Sequence, residues 1–256
     1  LFQSHEKMYY LAYFPILHNL SYSILGSLAI YNNYGIISLL LINLFTHIIL
    51  NTFLFYKSFA LVDTKWKISF TPRSWSTDTY KSAIIFSLMG YLIFLSTKID
   101  ILIISYLGGL EEVGIYGVAL LPLNQFNAIY AAISMAIFPS ITKKFNKKRT
   151  IFSDLTKASF QIFVIFLLLS LIVVYLSNII VDLFFDSSYE NAVIPMQVLI
   201  LSAPFNYGSI PFLKYLEATG NEFYSMSIYG LTALLNVPLN FLFYTNFGLL
   251  GIAFST

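Results

Sequence analysis

The sequence predicts an all-α integral membrane protein, and three observations support this fold class. Of the 256 residues, 58% are hydrophobic and only 10% are charged, whereas soluble domains carry about 25% charged residues. Apolar segments long enough to cross a bilayer recur along the whole chain. Basic residues are confined almost entirely to alternate connections between those segments. The lipid bilayer is therefore expected to be the main solvent and partner of the chain.

The apolar segments define the predicted spans. A bilayer core of about 30 Å requires about 20 apolar residues in a helix. An eighth segment begins after the turn at 246–248, and the sequence stops inside it, so we interpret the chain as a fragment of a larger bundle. Seven complete segments meet the requirement: residues 9–31, 36–58, 81–105, 113–138, 158–184, 192–215 and 224–245.

Charge placement predicts the orientation of these spans. Thirteen of the fourteen Lys and Arg residues lie in connections on one side. By the positive-inside rule that side is cytoplasmic, which predicts a multi-pass protein of the cell membrane. We interpret the basic cluster at 143–149 as a topology determinant, so no nucleic-acid partner is expected. Lys214, before the last basic connection, is assigned to the same side.

Two charged residues, Lys98 and Asp100, lie inside the third predicted span. A charge in hydrocarbon costs about 2.5 to 3.5 kcal/mol on insertion scales, so each needs a partner or a pathway. The two side chains point in nearly opposite directions, because two residues correspond to about 200° of helical rotation. Ser96 and Thr97 extend a polar face beside Asp100, which favours Asp100 as the residue that faces the protein interior. Structural roles and roles in a transport pathway stay open for both residues, including snorkelling for Lys98.

Uncharged polar residues align on single faces of three predicted spans. Residues four apart in a helix share a face, so such stripes predict either a hydrated cavity or hydrogen bonds between helices. Both interpretations stay open for each residue, and His18 is interpreted as a packed side chain. The candidate pathway residues are Asn43, His47 and Asn51 in the second span, Asn124 and Asn127 in the fourth, and Asn236 and Asn240 in the seventh.

Helix breakers occur in the same part of the chain. An interior proline removes one helix hydrogen bond and clashes with the preceding turn. Broken helices at membrane depth are tolerated where they are buried or line a cavity, and they recur in transporters. The breakers are Pro122 in the fourth span, Pro195, Pro204, Gly208 and Pro211 in the sixth, and Pro238 in the seventh.

The sequence carries no signature of an enzyme. It contains no HExxH, GxSxG or P-loop motif, no cysteine, and three histidines whose spacing does not suit a metal. The longest connection, between Lys57 and Lys81, is too short to fold a catalytic domain. We therefore expect no enzymatic activity, no cofactor and no metal site.

Residues 98–122, KIDILIISYLGGLEEVGIYGVALLP, resemble the signature region of polysaccharide and lipid-linked oligosaccharide flippases. This family belongs to the superfamily that includes the multidrug and toxin extrusion transporters. Its pattern has an Asp inside a span, then a Gly-containing turn, then Gly-x-Tyr in the next span. The matching positions are Asp100, Gly108-Gly109, and Gly114 with Tyr116; residues 6–8 and 217–221 also agree with the family pattern.

The resemblance implies a two-lobed, MATE-like bundle of twelve to fourteen spans around a central cavity that opens alternately to either side. In such a bundle, residues 1–58 would form the last two spans of the first lobe. Residues 59–80 would form a cytoplasmic loop between the lobes, and residues 81–256 would form an incomplete second lobe.

The resemblance also implies a function. A family member would move a lipid-linked oligosaccharide of the undecaprenyl-pyrophosphate type to the outer leaflet for cell-surface polysaccharide synthesis, with polysaccharide polymerase and glycosyltransferases as partners. Lys98 would meet the pyrophosphate, and Asp100 would bind a coupling H⁺ or Na⁺. Two alternatives stay open. One is a cation-coupled multidrug exporter, and the other is a membrane glycosyltransferase or ligase acting on the same lipid.

Overall fold

The computed structural model describes residues 9–61, 77–146 and 152–256, and the regular elements within these ranges are all helical. This confirms the all-α prediction for that part of the chain. A 3-10 helix, Ser187–Ala192, precedes the seventh α-helix. In chain order the α-helices are α1 (Tyr9–Tyr31), α2 (Gly35–Leu61), α3 (Thr77–Leu107), α4 (Leu110–Ala119), α5 (Leu121–Asn146), α6 (Phe152–Phe184), α7 (Val193–Gly208), α8 (Ile210–Ala218) and α9 (Glu222–Ser255).

Six helical segments in the described ranges are long and apolar enough to cross a membrane. They correspond to the second to seventh predicted spans, and α1 coincides with the first. The chain is therefore a multi-pass membrane protein. Residues 62–76 of the predicted interlobe loop and 147–149 of the basic cluster lie outside the described ranges. The direction of insertion stays a prediction, so helix ends at basic connections are called basic ends below, and the opposite ends acidic ends.

Two predicted spans are each divided into two helices. The fourth is divided at Leu120, because Pro122 cannot donate a hydrogen bond to the preceding turn. The sixth is divided at Ser209, and Pro211 lies in the first turn of α8. Proline is favourable there because the first N–H groups of a helix have no partner within it. Pro204 stays inside α7 without ending it.

The chain divides into two compact units, Leu1–Ser74 and Trp75–Thr256, called unit 1 and unit 2. In unit 1, α1 and α2 pack on each other as an antiparallel pair joined by a turn with Asn33 and Gly35 at positive φ. Unit 2 holds α3 to α9. The assignment of these units to two lobes of a larger transporter stays a prediction.

In unit 2, α3 and α9 lie side by side and run in the same direction. Ser82 donates a hydrogen bond to Glu222 at 2.6 Å, and Asn240 donates one to Asp100 at 2.6 Å. The same number of residues separates the two contacts along both helices. The register between α3 and α9 is therefore constant over about five turns.

The chain reverses direction at Gly248 within α9. This glycine has φ 61° and ψ −142°, a backbone conformation that residues with a Cβ rarely adopt. Ser255 donates a hydrogen bond to Asn240, fifteen residues earlier. In a straight helix the two residues would be about 22 Å apart, so α9 consists of two antiparallel arms. The turn is where the sequence predicts the start of an eighth span.

Hydroxyl groups of α6 donate hydrogen bonds to two backbone carbonyls of α7, one opposite Pro204 and one at the end of the helix. Ser170 donates to the carbonyl of Ile200 at 2.8 Å, and Ile200 is the residue whose helical donor would be the missing N–H of Pro204. Ser159 donates to the carbonyl of Gly208 at 2.5 Å, where α7 ends. No water replaces such bonds in hydrocarbon, so neighbouring side chains must provide them.

We expect Ser170→Ala to lower the free energy of unfolding by about 1 to 3 kcal/mol, because the buried carbonyl of Ile200 loses its donor. The loss should shrink in a Pro204→Ala background, where the restored N–H can donate to the same carbonyl. Thermal unfolding of the four proteins in detergent measures this cycle. Ser227→Ala, which removes an exposed hydroxyl bonded within its own helix, should have little effect. Equal losses in both backgrounds would contradict the compensation.

Candidate functional site

Asp100 is the centre of a buried polar cluster in unit 2. The residue is 3% exposed, and its carboxylate accepts three hydrogen bonds. The donors are the hydroxyl of Tyr116 at 3.1 Å, the side-chain amide of Asn240 at 2.6 Å and the hydroxyl of Thr256 at 2.9 Å. Within the described ranges, no cation pairs with this carboxylate. A single buried carboxyl group is thus held by three neutral donors.

Three helices build this cluster. Asp100 comes from α3 and Tyr116 from α4, while Asn240 lies on the first arm of α9 and Thr256 directly follows the second arm. Tyr116 and Asn240 are fully buried. Ser255 donates to the side-chain oxygen Oδ1 of Asn240, which leaves the NH₂ group of the same side-chain amide directed at Asp100. The position of the carboxylate therefore depends on the hairpin of α9 as well as on α4.

An apolar shell surrounds the cluster. Ile104, Leu199 and Ile252 are fully buried in the same core as Tyr116, and Ile115 is nearly so. Hydrogen bonds in such low-dielectric surroundings are electrostatically stronger than in water, and an unpaired polar group there is expensive. A change in the charge of Asp100 would therefore act strongly on the helices that contact it.

Lys98 lies on the opposite face of α3, as the rotation of about 200° requires. Its side chain is exposed on unit 2. Among the residues that the structure describes, no hydrogen-bond or ion-pair partner contacts it. The two charged residues of this span are thus separated, with Asp100 inside a cluster and Lys98 on a surface.

The polar strip beside Asp100 continues one turn toward the basic end. Asn236 lies there on α9 and is 7% exposed. Ser96 occupies the equivalent position on α3, because α3 and α9 keep one register. The hydroxyl of Ser96 is buried and has no hydrogen-bond partner in the described part of the chain. Asp100, Asn236 and Asn240 therefore belong to one continuous strip.

The candidate residues of α5 belong to a separate cluster. Asn124 and Asn127 are both exposed, and Asn127 accepts a hydrogen bond from the hydroxyl of Tyr207 at 3.0 Å. Tyr207 is 5% exposed, and its ring lies 5.4 Å from that of Tyr130, centroid to centroid. The sequence indicates Asn127 as a candidate pathway residue but does not identify Tyr207 as its partner.

In unit 1, His47 stacks on His18 with ring centroids 3.8 Å apart and the planes inclined by 30°. His18 is packed, as expected, with 9% exposure, but against a second histidine. Its Nε2 atom is buried and has no partner among the described residues. On α2, Asn43 is half-buried, while Asn51 is exposed and donates to the backbone carbonyl of His47 at 2.8 Å.

Comparison with protein-family models gives two matches, each covering more than half of the chain. Residues 84–242 match the MatE family, and residues 1–145 match the family described as Polysaccharide biosynthesis protein. The chain belongs to these families. It is therefore a membrane transporter of the multidrug/oligosaccharidyl-lipid/polysaccharide exporter superfamily. No curated protein and no solved structure matched the chain.

The two family matches overlap over residues 84–145 of the transporter. The overlap contains residues 98–122, so it confirms the resemblance that those residues carry. It also contains Asp100 and Tyr116, and the MatE match extends to Asn240. Three of the four residues that form the buried cluster thus lie inside one family match.

One basic residue of the transporter has an ionic partner. Lys214, at the end of the sixth predicted span, lies in α8 and pairs with Glu217 at 2.7 Å. Their side chains are 19% and 7% exposed. Glu217 lies near Tyr229 on α9. The spacing of three residues between opposite charges was the sequence signal for this pair.

Proposed function

We propose that the transporter moves a lipid-linked oligosaccharide of the undecaprenyl-pyrophosphate type from the inner to the outer leaflet of the cell membrane by alternating access. The substrate class is supported by the match of residues 1–145 to the polysaccharide biosynthesis family. The lipid tail would stay in the bilayer while polar faces of the helices shelter the head group. The substrate would cross unchanged, with glycosyltransferases before this step and a polysaccharide polymerase after it as partners.

Asp100 is proposed to bind the coupling ion, H⁺ or Na⁺. The observation that carries this proposal is the shell of three neutral donors around one buried carboxylate. No group of three or more His, Cys, Asp or Glu side chains occurs in the described ranges, so an ion at Asp100 would meet one carboxylate and neutral oxygen atoms. Such a set suits a monovalent cation better than a divalent one.

Ion binding at Asp100 has a mechanical consequence. A cation on the carboxylate would compete with Tyr116, Asn240 and Thr256 for its lone pairs. The competition would change the contacts of α3 with α4 and with both arms of α9. Because a ligand shifts a conformational equilibrium only through different contacts in the two states, this rearrangement is the proposed link between ion binding and alternating access.

The remaining candidate residues are proposed to line the substrate pathway. Lys98 would meet the pyrophosphate as a point charge. The amide and imidazole groups would replace water around the hydrophilic head group. These lining residues are Asn43, His47 and Asn51 in unit 1 and Asn124 and Asn127 in unit 2. Asn236 and Asn240 are buried beside Asp100 and are proposed to belong to the ion pathway instead.

A second candidate function is cation-coupled export of drugs. It is supported by the MatE match over residues 84–242 and by the buried carboxylate of Asp100. Both functions would use the same ion site, so the substrate must separate them. Intact protein in proteoliposomes, tested with a fluorescent lipid-linked oligosaccharide and with ethidium, distinguishes the two. We expect ion-driven flipping of the glycolipid above the level of protein-free vesicles. Ethidium transport without glycolipid flipping would favour the drug exporter.

Lys98→Ala is expected to slow glycolipid flipping by about tenfold or more, because a charge-assisted contact with the pyrophosphate is lost. Lys81→Ala removes an exposed basic residue at the basic end of the same helix and should leave the rate unchanged. Flipping rates at matched protein density check this expectation. A normal rate for Lys98→Ala would remove Lys98 from the pathway.

A further inference from the structure

Three tyrosines from three helices meet inside unit 2, away from the Asp100 cluster. They are Tyr130 on α5, Tyr207 on α7 and Tyr229 on α9. The rings of Tyr130 and Tyr207 are 5.4 Å apart and inclined by 43°. Tyr229 lies close to Tyr130. Three ring systems with their hydroxyl groups thus form one aromatic cluster.

The backbone arrangement shapes this cluster as a groove. Both α5 and α9 pack on α7 and α8. Tyr207 on α7 is 5% exposed and forms the floor, while Tyr130 and Tyr229 are half-buried on the walls. Asn127 is exposed beside them and is held by the hydroxyl of Tyr207. The groove therefore presents ring faces, two hydroxyl groups and one amide to a ligand.

A charged residue beside the groove is compensated. Glu217 lies near Tyr229, and it is paired with Lys214 at 2.7 Å. A cationic drug would require an uncompensated carboxylate, and an anion would require a free cation. Aromatic rings pack on apolar faces, while tyrosine and asparagine side chains exchange hydrogen bonds with hydroxyl groups. The groove therefore suits a neutral ligand that has both apolar faces and many hydroxyl groups.

A sugar ring has this combination of properties. We propose that the groove of Asn127, Tyr130, Tyr207 and Tyr229 binds the sugar nearest the pyrophosphate when the lipid-linked substrate enters, before the pyrophosphate reaches Lys98, and so contributes to substrate specificity. This inference rests on the proposed function. Tyr229 lies two turns inside the basic end of α9, about 10 Å from it. A head group that enters from the predicted cytoplasmic leaflet would reach this depth with its lipid tail still in the bilayer.

The test measures binding to the purified intact protein by native mass spectrometry. The probes are undecaprenyl pyrophosphate without sugar and the same lipid carrying glucose, galactose or N-acetylglucosamine. We expect at least one sugar-bearing probe to bind the unmodified protein about tenfold more tightly than the sugar-free lipid. Two hydroxyl hydrogen bonds account for a factor of this size.

The double variant Tyr130→Phe/Tyr229→Phe keeps both rings and removes both wall hydroxyls. We expect it to bind the sugar-bearing probe about tenfold more weakly and the sugar-free lipid normally. Tyr175→Phe, at an exposed position on α6, is the matched control and should change neither. If the two tyrosines serve only to pack the helices, the double variant should bind every probe normally, or it should lose the same affinity for probes with and without sugar.

The possible outcomes separate this inference from the proposed function. If the unmodified protein binds lipids with and without sugar equally, or the double variant keeps the sugar preference, the groove is not a sugar site, and the flippase proposal is unaffected. If the unmodified protein binds none of the four lipids, the proposed substrate class is wrong, and the inference is overturned with it.

Discussion

Asp100→Asn is expected to reduce ion-driven transport to the level of protein-free vesicles while the protein still folds. Asparagine has nearly the same shape, so the packing around residue 100 is kept. It carries no charge, however, and cannot take up a proton or hold a cation as a carboxylate does. One of its two terminal groups is a donor, and it would oppose donors from Tyr116, Asn240 or Thr256. The free energy of unfolding should fall by about 1 to 3 kcal/mol through this mismatch.

Transport in proteoliposomes with an imposed H⁺ or Na⁺ gradient measures the effect, and thermal unfolding reports the stability of the same samples. Asp182→Asn is the matched control, because it removes a carboxylate from an exposed position on α6. We expect Asp182→Asn to transport normally. If Asp100→Asn responds to the gradient as the unmodified protein does, Asp100 is not the ion site, and its hydrogen bonds serve only the architecture of unit 2.

The spans were predictable because the physics of the bilayer leaves few choices. Backbone groups in hydrocarbon must be bonded within a helix, and the core thickness sets the length. The polar face around Asp100 and the stripe ending at Asn240 also identified two members of the buried cluster. The sequence did not indicate that they contact each other, because 140 residues separate them. Thr256 is 156 residues from Asp100 and joins the cluster only through the turn at Gly248.

Other features could have been predicted by a further step of the same reasoning. His18 and His47 lie nearly equal numbers of residues from the turn between α1 and α2. An antiparallel pair therefore places them at the same depth. Lys214 indicates only a side of the membrane when it is considered alone, whereas Glu217, three residues later, indicates an ion pair at helical spacing. The hydrogen bond that compensates for Pro204 could not be predicted in this way. Nothing in the sequence selects Ser170, among the many hydroxyl groups of α6, as the donor to the carbonyl of Ile200.

Gly251→Ala is expected to open the hairpin of α9 and to lower both stability and transport. Gly251 is buried, and a Cβ atom there would overlap the backbone carbonyl of Phe243 on the other arm. A backbone carbonyl cannot rotate away as a side chain can, so the arms must separate. This displacement would withdraw Ser255 from Asn240 and Thr256 from Asp100. Overpacking of this kind costs about 3 kcal/mol.

Gly90→Ala is the matched control for this substitution. Gly90 lies inside α3, and outside the adjacent backbone of that helix no described heavy atom lies within 4 Å of the position that its Cβ would take. Alanine has the higher helix propensity, so this variant should be as stable as the unmodified protein or slightly more so. Thermal unfolding and transport of both variants test the comparison. If Gly251→Ala retains full transport, the second arm of α9 is not needed to hold the donors at Asp100, and the coupling proposed between ion binding and that arm is wrong.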